Sequence, residues 1–170
     1  SIVSLTKGYL SGDRSDPNSY EADALAKAND YALTATQADP QNSRAFAQLS
    51  KVDIIRGQYK VAWSVLDRAF ELDHHSFYAW FYLAVLNRYY QLYPKAKLYA
   101  GHALDLSQYE FQRRWALDEM ITIAERQGDA KTQEGLYRAI IDLDPGWAWS
   151  YGNYAAFLYD QGRDKEAAFY

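Results

Sequence analysis

The residues whose chemistry could support a metal site are few and poorly grouped. His74 and His75 are adjacent, directly after Leu72 and Asp73. Side chains of adjacent loop residues point apart, and no further histidine, cysteine or carboxylate cluster is spaced to supply the other ligands of a typical site. His102, the third histidine, is predicted on the outer face of a helix. We therefore expect no metal ion and no cofactor.

Paired carboxylates, which could perform general acid–base catalysis, occur at Asp142 and Asp144. They flank the end of a helix, however, and Asp144 precedes Pro145 as Asp39 precedes Pro40, an arrangement typical of turns. The sequence contains no glycine-rich phosphate loop, no G-x-S-x-G motif, no H-E-x-x-H motif and no cysteine. We predict that the chain is not an enzyme and has no catalytic residues.

Charge and composition exclude two further classes of protein. The 170-residue chain carries a net charge of -4, whereas nucleic-acid-binding surfaces are rich in clustered Lys and Arg. No apolar run approaches the roughly 20 residues of a membrane-spanning helix. We expect a soluble chain without direct nucleic-acid contacts. The compartment stays open between the cytoplasm, which is favoured, and the periplasm. The unusual feature is the aromatic content, since 16 Tyr, seven Phe and five Trp make up 16% of the residues.

The elements that must position these aromatic residues follow from an internal repeat. Shifting the chain by 34 residues superimposes residues of similar type. The superimposed pairs are Phe46 and Trp80, Leu49 and Leu83, Ala62 and Ala96, Ala69 and Ala103, and Asp39 and Asp73. From Leu106 to Leu143 the step is 37 residues. One repeat therefore contains three additional residues, which we place in the loop around 108–113.

Each repeat contains two amphipathic helices, because its apolar residues recur at helical spacing. The predicted helices are Ser43–Arg56, Gln58–Leu72, Ser76–Tyr93, Pro94–Leu106, Gln112–Gln127 and Ala130–Leu143, then one from Trp147 to Gly162 and a last one after Arg163. Nearer the N-terminus, a polar loop at Ser11–Asn18 joins predicted helices Ile2–Leu10 and Tyr20–Ala38. We predict a single domain, residues 1–170, with a modified first unit at 1–40, full units at 41–74, 75–108 and 109–145, and a truncated unit at 146–170.

A two-helix repeat of this length and pattern resembles the tetratricopeptide repeat (TPR) family. The residues that carry the resemblance are Pro40, Phe46, Leu49, Gly57, Tyr59, Ala62, Leu66 and Ala69, then Trp80, Leu83, Ala84, Tyr93, Ala96 and Ala103, and finally Tyr151, Ala155, Gly162 and Ala167. The sequence departs from the family pattern at His74, Gln91, Gln108 and Gln133. The resemblance implies an all-α fold, a right-handed α-solenoid of antiparallel helix pairs. Its first helices would line a concave groove that binds a peptide or helix of a partner protein.

The groove should be lined by first-helix residues that lie off the packing stripe. The predicted set has an aromatic centre between a basic-polar end and an acidic patch, and Tyr and Trp often dominate binding energy at interfaces. Its members are Arg44, Gln48, Lys51, Tyr78, Phe81, Tyr82, Arg88, Tyr89, Trp115, Asp118, Glu119, Trp149 and Asn153. The alternative is that many of these aromatic residues fill the seam between helices.

Other functions stay open at this point. A narrower resemblance is carried by Gly8-Tyr9-Leu10, the segment Ala24–Ala28, Asp39-Pro40, and Ala45 with Leu49. In this order they are similar to repeat domains of bacterial winged-helix transcription regulators and related signalling proteins, which implies a sensory or interaction domain. Carbohydrate binding is a second alternative, because Tyr and Trp stack on sugar rings. A third is a self-associating structural module. In that case the apolar residues Ala167–Tyr170 at the C-terminal end would form a homodimer contact.

Overall fold

The computed structural model of the chain describes residues 17–170, with side chains from Asp23 onward, so the predicted helix at 2–10 lies outside it. Within this range all regular secondary structure is helical, which confirms the all-α fold class. The helices are α1 (Pro17–Ala38), α2 (Ser43–Ile55), α3 (Tyr59–Leu72), α4 (Phe77–Tyr89), α5 (Tyr93–Asp105), α6 (Glu110–Gln127), α7 (Ala130–Leu143), α8 (Ala148–Asp160) and α9 (Asp164–Ala167). None of these helices is long and apolar enough to cross a membrane.

The chain divides into two compact units, one that ends at Tyr82 and one from Leu83 to Tyr170. The described part of the first unit contains α1, α2, α3 and the beginning of α4. Its core is built from small and branched side chains that the helical spacing places on facing stripes. These are Leu25, Ala28 and Ala32 of α1, Leu49 and Val52 of α2, and Val65 of α3.

The second unit has three neighbouring core clusters along the chain. The first joins α4, α5 and α6 through Ala84, Ala96, Ala100 and Ile123. The second joins α6 and α7 through Leu117, Ile121 and Ile140. The third consists of Tyr154, Phe157 and Leu158 of α8, packed against Tyr137 and Ile141 of α7 and Ala167 of α9. Each cluster thus combines residues of helices that are neighbours in the sequence.

The turn between the two helices of each pair contains one residue with left-handed backbone conformation. Gly57, Gly128 and Gly162 have φ angles of 72°, 68° and 71°, and Gln91 has a φ of 59°. These four positions are 34, 37 and 34 residues apart, as the repeat requires. The prediction that the helix from Ser76 continues to Tyr93 is therefore wrong. α4 ends at Tyr89 because Gln91 adopts the conformation that glycine adopts in the other turns.

The three additional residues of the long repeat lie in a helix and not in the predicted loop around 108–113. The connections at 73–76, 106–109 and 144–147 each contain four residues, whereas α6 has 18 residues and α4 and α8 have 13. Two of these five residues are offset, because α5 is one residue shorter than α3 and Gly128 follows α6 directly, whereas Tyr90 separates α4 from Gln91. α6 begins early because the Gln112 side-chain carbonyl accepts hydrogen bonds from the backbone N–H groups of Gln108 and Tyr109. α1 likewise begins at Pro17, inside the predicted loop Ser11–Asn18, since proline suits a first helical turn.

Two aromatic residues at the same repeat position tie a first helix to the loop before it. Nε1 of Trp80 donates to the carbonyl of His74 at 2.9 Å, and Oη of Tyr151 donates to the carbonyl of Pro145 at 3.1 Å. Each bond reaches back six residues. Trp80 also packs edge-on against Phe70, with ring centroids 4.7 Å apart. Part of the aromatic content is therefore structural.

Candidate functional site

The predicted site residues of the first unit lie where α2 faces α4. Arg44, Gln48 and Lys51 are four and three residues apart, so they share one face of α2. The Arg44 guanidinium lies 4.5 Å from the ring centroid of Tyr78, and Oη of Tyr82 donates to Oε1 of Gln48 at 3.5 Å. We call Arg44, Gln48 and Lys51 the donor row.

Lys51 is half-buried, and burial lowers the pKa of its ammonium group. Among the side chains from Asp23 to Tyr170, none forms an ion pair or a hydrogen bond with this ammonium. The other half-buried cations in that range all contact a carboxylate. These pairs are Arg68 with Glu71, Arg88 with Glu119, Arg114 with Asp144, and Arg163 with Glu134.

The aromatic residues at the start of α4 form a continuous cluster. Phe77 stacks on Phe81 with ring centroids 5.7 Å apart, and the rings of Tyr78 and Tyr82 meet these phenylalanines edge-on. Tyr78 and Tyr82 are only 7% and 3% exposed, and burial raises the pKa of Tyr82. Phe81 is half-buried. The two tyrosines of this cluster therefore offer little surface to a ligand, as expected if these aromatic residues fill the seam between helices. Phe77 belongs to the same cluster, and the sequence analysis did not identify it.

Two predicted site residues of the second unit bind each other. Nε of Arg88 donates to Oε1 of Glu119 at 2.7 Å, and Nη2 donates to Oε2 at 3.2 Å. The Arg88 guanidinium also lies 4.9 Å from the ring centroid of Tyr89. Burial raises the pKa of Glu119, and the guanidinium of Arg88 opposes that effect. This pair connects α4 with α6.

Other predicted members of the second unit are more accessible. Trp149 of α8 is 66% exposed and Tyr89 of α4 is 46% exposed, whereas Asp118 and Asn153 are half-buried. Trp115 is half-buried and meets the ring of Phe111 edge-on at 5.3 Å. Tyr109 stacks on Phe111 in turn, with centroids 5.6 Å apart. The sequence reasoning missed these two neighbours, although the four-residue spacing of Phe111 and Trp115 was the signal that could have shown one of them.

A charge network joins the last three helices. The Glu134 carboxylate of α7 accepts hydrogen bonds from Arg138 at 2.6 Å, from Arg163 at 2.7 Å and from the Tyr154 hydroxyl at 3.1 Å. The Arg163 guanidinium is the main reason that the pKa of Glu134 is lowered to about 2. Arg163 also binds Glu166 of α9. The network holds the C-terminal helix against α7 and α8.

The C-terminal residues are partly packed and partly exposed. Ala167 is half-buried in the α8 cluster, and the Tyr170 ring meets Tyr154 edge-on at 4.6 Å. Phe169 is 85% exposed, and Tyr159 at the end of α8 is 67% exposed. Of the two aromatic residues in the predicted apolar end, Phe169 is thus more accessible than Tyr170, which is 47% exposed.

Asp73 and Asp144, in the two loops considered for chemistry, make local contacts. Oδ1 of Asp73 accepts a hydrogen bond from the backbone N–H of His75, and Asp144 binds Arg114 at 2.5 Å. Within the part of the chain that the structure describes, no group of three or more His, Asp or Glu side chains is arranged to hold a metal ion. The candidate surfaces offer hydrogen-bond donors, positive charge and aromatic rings, which are means of recognition.

Solved structures with similar folds come from helical-repeat proteins. PilF of Pseudomonas aeruginosa has a TM-score of 0.71 with 16% identity, over 98% of this chain and 70% of PilF. MamA has a TM-score of 0.62 with 20% identity, over 89% of this chain and 87% of MamA. YrrB, described as a TPR protein with an unusual peptide-binding site, has a TM-score of 0.58 with 14% identity, over 80% of this chain and 69% of YrrB. No protein-family model and no curated protein sequence matches the chain.

Proposed function

We propose that this chain, which has a TPR-type helical-repeat fold, binds a partner protein. The binding surface would lie on the first helix of each repeat, that is on α2, α4, α6 and α8. The partner would contribute a peptide segment or a helix. In the first unit the contact residues are the donor row and Phe81. In the second unit they are Tyr89, Trp115, Asp118, Trp149 and Asn153.

The observation that carries this proposal is the exposure of Trp149. Trp149 is 66% exposed, so most of a large aromatic side chain is in contact with water. Aromatic residues contribute strongly to binding when a partner covers them, because they bring a large contact area at a small entropy cost. Trp149 lies on α8, whose buried residues Tyr154, Phe157 and Leu158 pack in the third core cluster of the second unit.

The buried members of the predicted set, together with the half-buried Arg88, have a supporting role in this proposal. Tyr78 holds the Arg44 guanidinium, and Tyr82 holds the Gln48 side chain. Arg88 and Glu119 satisfy each other and connect two helices. A binding surface that is ordered before the partner arrives avoids the entropy cost of ordering it during association.

The experiment that tests the proposal is selection of peptides on the intact chain. The chain is immobilised, short random peptides displayed on phage are selected, and enriched peptides are resynthesised and titrated by fluorescence anisotropy. We expect saturable binding with one peptide per chain. Failure to enrich any peptide, or binding that does not saturate, would contradict the proposal.

Self-association is a second candidate, favoured by the exposure of Phe169 and Tyr159. If these side chains form a contact between two copies, light scattering should show a mass that rises with protein concentration. The Phe169→Ser variant should then remain monomeric, while Tyr31→Ser, which changes an exposed aromatic residue of α1, should not alter the association. A wild-type mass that stays at the monomer value at every concentration would exclude this candidate.

A further inference from the structure

The donor row presents hydrogen-bond donors and positive charge. Arg and Lys side chains have donors and no acceptor. Gln48 has both, but its Oε1 accepts the Tyr82 hydroxyl, so its NH₂ group is the part left for a ligand. A ligand that complements this row must therefore supply acceptors at three successive points.

Lys51 also lacks the counter-charge that other half-buried cations have. Arg68, Arg88, Arg114 and Arg163 each contact a carboxylate of this chain. None of the described side chains provides a carboxylate for Lys51. Burial of an unpaired charge is unfavourable. An anionic group of a ligand would compensate that cost. Arg44, at the other end of the row, is exposed and stacked on Tyr78 with no carboxylate partner among the same residues.

The length of the row defines the ligand further. Lys51 follows Arg44 by seven positions, which correspond to about 10 Å along the helix axis. A peptide in the polyproline II conformation has three residues per turn and rises about 3.1 Å per residue, so residues three apart lie on the same side about 9 Å from each other. Two carboxylates at this spacing would reach Arg44 and Lys51 together. A backbone carbonyl between them would accept from the amide of Gln48.

We propose that the donor row binds an extended acidic segment of a partner protein, in which two Asp or Glu residues three positions apart pair with Arg44 and Lys51. This inference rests on the proposed function and adds the chemistry of the partner. The site lies wholly within the first unit, on α2 with Tyr78 and Tyr82 of α4 behind it.

The test uses labelled synthetic peptides and the intact chain, measured by fluorescence anisotropy at low and at physiological salt. The probe peptide contains Glu-Pro-Ala-Glu between neutral polar flanks. In one comparison peptide both Glu residues are replaced by Gln, and in another they are adjacent. We expect the probe to bind about tenfold more tightly than either, and to weaken as salt rises. Equal binding of the Gln peptide would overturn the proposal.

Two protein variants distinguish the effect of losing this site from the effect of lowering the positive charge of the chain. Lys51→Met removes the half-buried ammonium but keeps an apolar stem of similar shape, whereas Lys60→Met removes an exposed ammonium from α3. We expect Lys51→Met to weaken probe binding about tenfold and Lys60→Met to change it little. Urea unfolding of both variants establishes that they remain folded. Equal effects of the two substitutions would show a nonspecific charge effect and would overturn the assignment of binding to the donor row.

The outcome also distinguishes this inference from the proposed function. If selected peptides bind the chain but are neutral and bind Lys51→Met normally, the donor row is not the site and the scaffold function stands. If no peptide of any kind binds, both proposals fail. If the probe dissociates a dimer seen by light scattering, the occupant is a second copy of this chain, and the assignment to a partner protein is wrong.

Discussion

Arg88 and Glu119 form a bidentate ion pair between α4 and α6, with bonds of 2.7 and 3.2 Å and side chains that are 15% and 6% exposed. Neither group is in bulk water, so each depends on the other for its hydrogen bonds. Removal of one partner leaves a buried charge without compensation. The pair therefore contributes to the stability of the fold, and it affects binding only indirectly.

We predict that Arg88→Met lowers the free energy of unfolding by about 3 kcal/mol, and that adding Glu119→Leu restores most of it. The matched control is Arg68→Met, which breaks the more exposed pair with Glu71 and should cost less than about 1 kcal/mol. Urea unfolding monitored by circular dichroism gives all three values. Equal losses for Arg88→Met and Arg68→Met would show that burial of the pair does not matter.

Glu134 should make stability depend on pH. Its pKa is lowered to about 2 in the folded chain, from an ordinary value of 4.5, mainly because Arg163 donates hydrogen bonds to it. A carboxyl group whose folded pKa is lowered stabilises the protein above the unfolded pKa, and this contribution is lost as pH falls through the folded pKa. The contribution of Glu134 is therefore present at neutral pH and lost from about pH 5 to about pH 2.

The matching prediction concerns Glu134→Gln. At neutral pH this variant should be less stable than the wild type by about 1 kcal/mol, the scale of a partly exposed charge network. The difference in stability between the two proteins should shrink as pH falls from about 5 to about 2. Thermal unfolding of both proteins at a series of pH values measures it, and a difference that stays constant with pH would contradict the role given to Glu134.

Gln91 occupies a backbone conformation that glycine adopts more easily. Its φ of 59° places it in the left-handed region, and its side chain is exposed. Gln91→Gly should raise the free energy of unfolding by about 1 kcal/mol. The reverse substitution Gly128→Gln should lower it by a similar amount, because a Cβ there meets no atom within 4 Å and the cost is confined to the backbone. A loss of stability in Gln91→Gly would contradict this explanation.

Gln91 also shows how far the sequence predicted the fold. The repeat period and the apolar stripes were sufficient for helix pairs, and the predicted range of Ala130–Leu143 agrees with α7. The end of α4 was misplaced because the turn residue is not glycine there, so the usual signal was missing. The early start of α6 depends on the side chain of Gln112 bonding to two backbone N–H groups, a local bond that periodicity does not report.

The candidate site was less predictable than the fold. Periodicity assigned Tyr82 and Trp149 to comparable faces of their helices, yet Tyr82 is 3% exposed and Trp149 is 66% exposed. Which faces are covered depends on contacts with other helices, and these contacts involve residues distant in the sequence. The Arg88–Glu119 pair is an example, since its members are 31 residues apart and were predicted to face a ligand.

Peptide binding by matched variants of α8 tests the central claim most directly. Trp149 and Tyr159 are on the same helix and are 66% and 67% exposed, but only Trp149 belongs to the proposed contact residues. With peptides selected on the wild-type chain, we predict that Trp149→Ala weakens binding at least about tenfold and that Tyr159→Ala leaves it unchanged. Unchanged binding in Trp149→Ala, or an equal loss in Tyr159→Ala, would contradict the assignment of binding to the face of α8 that carries Trp149.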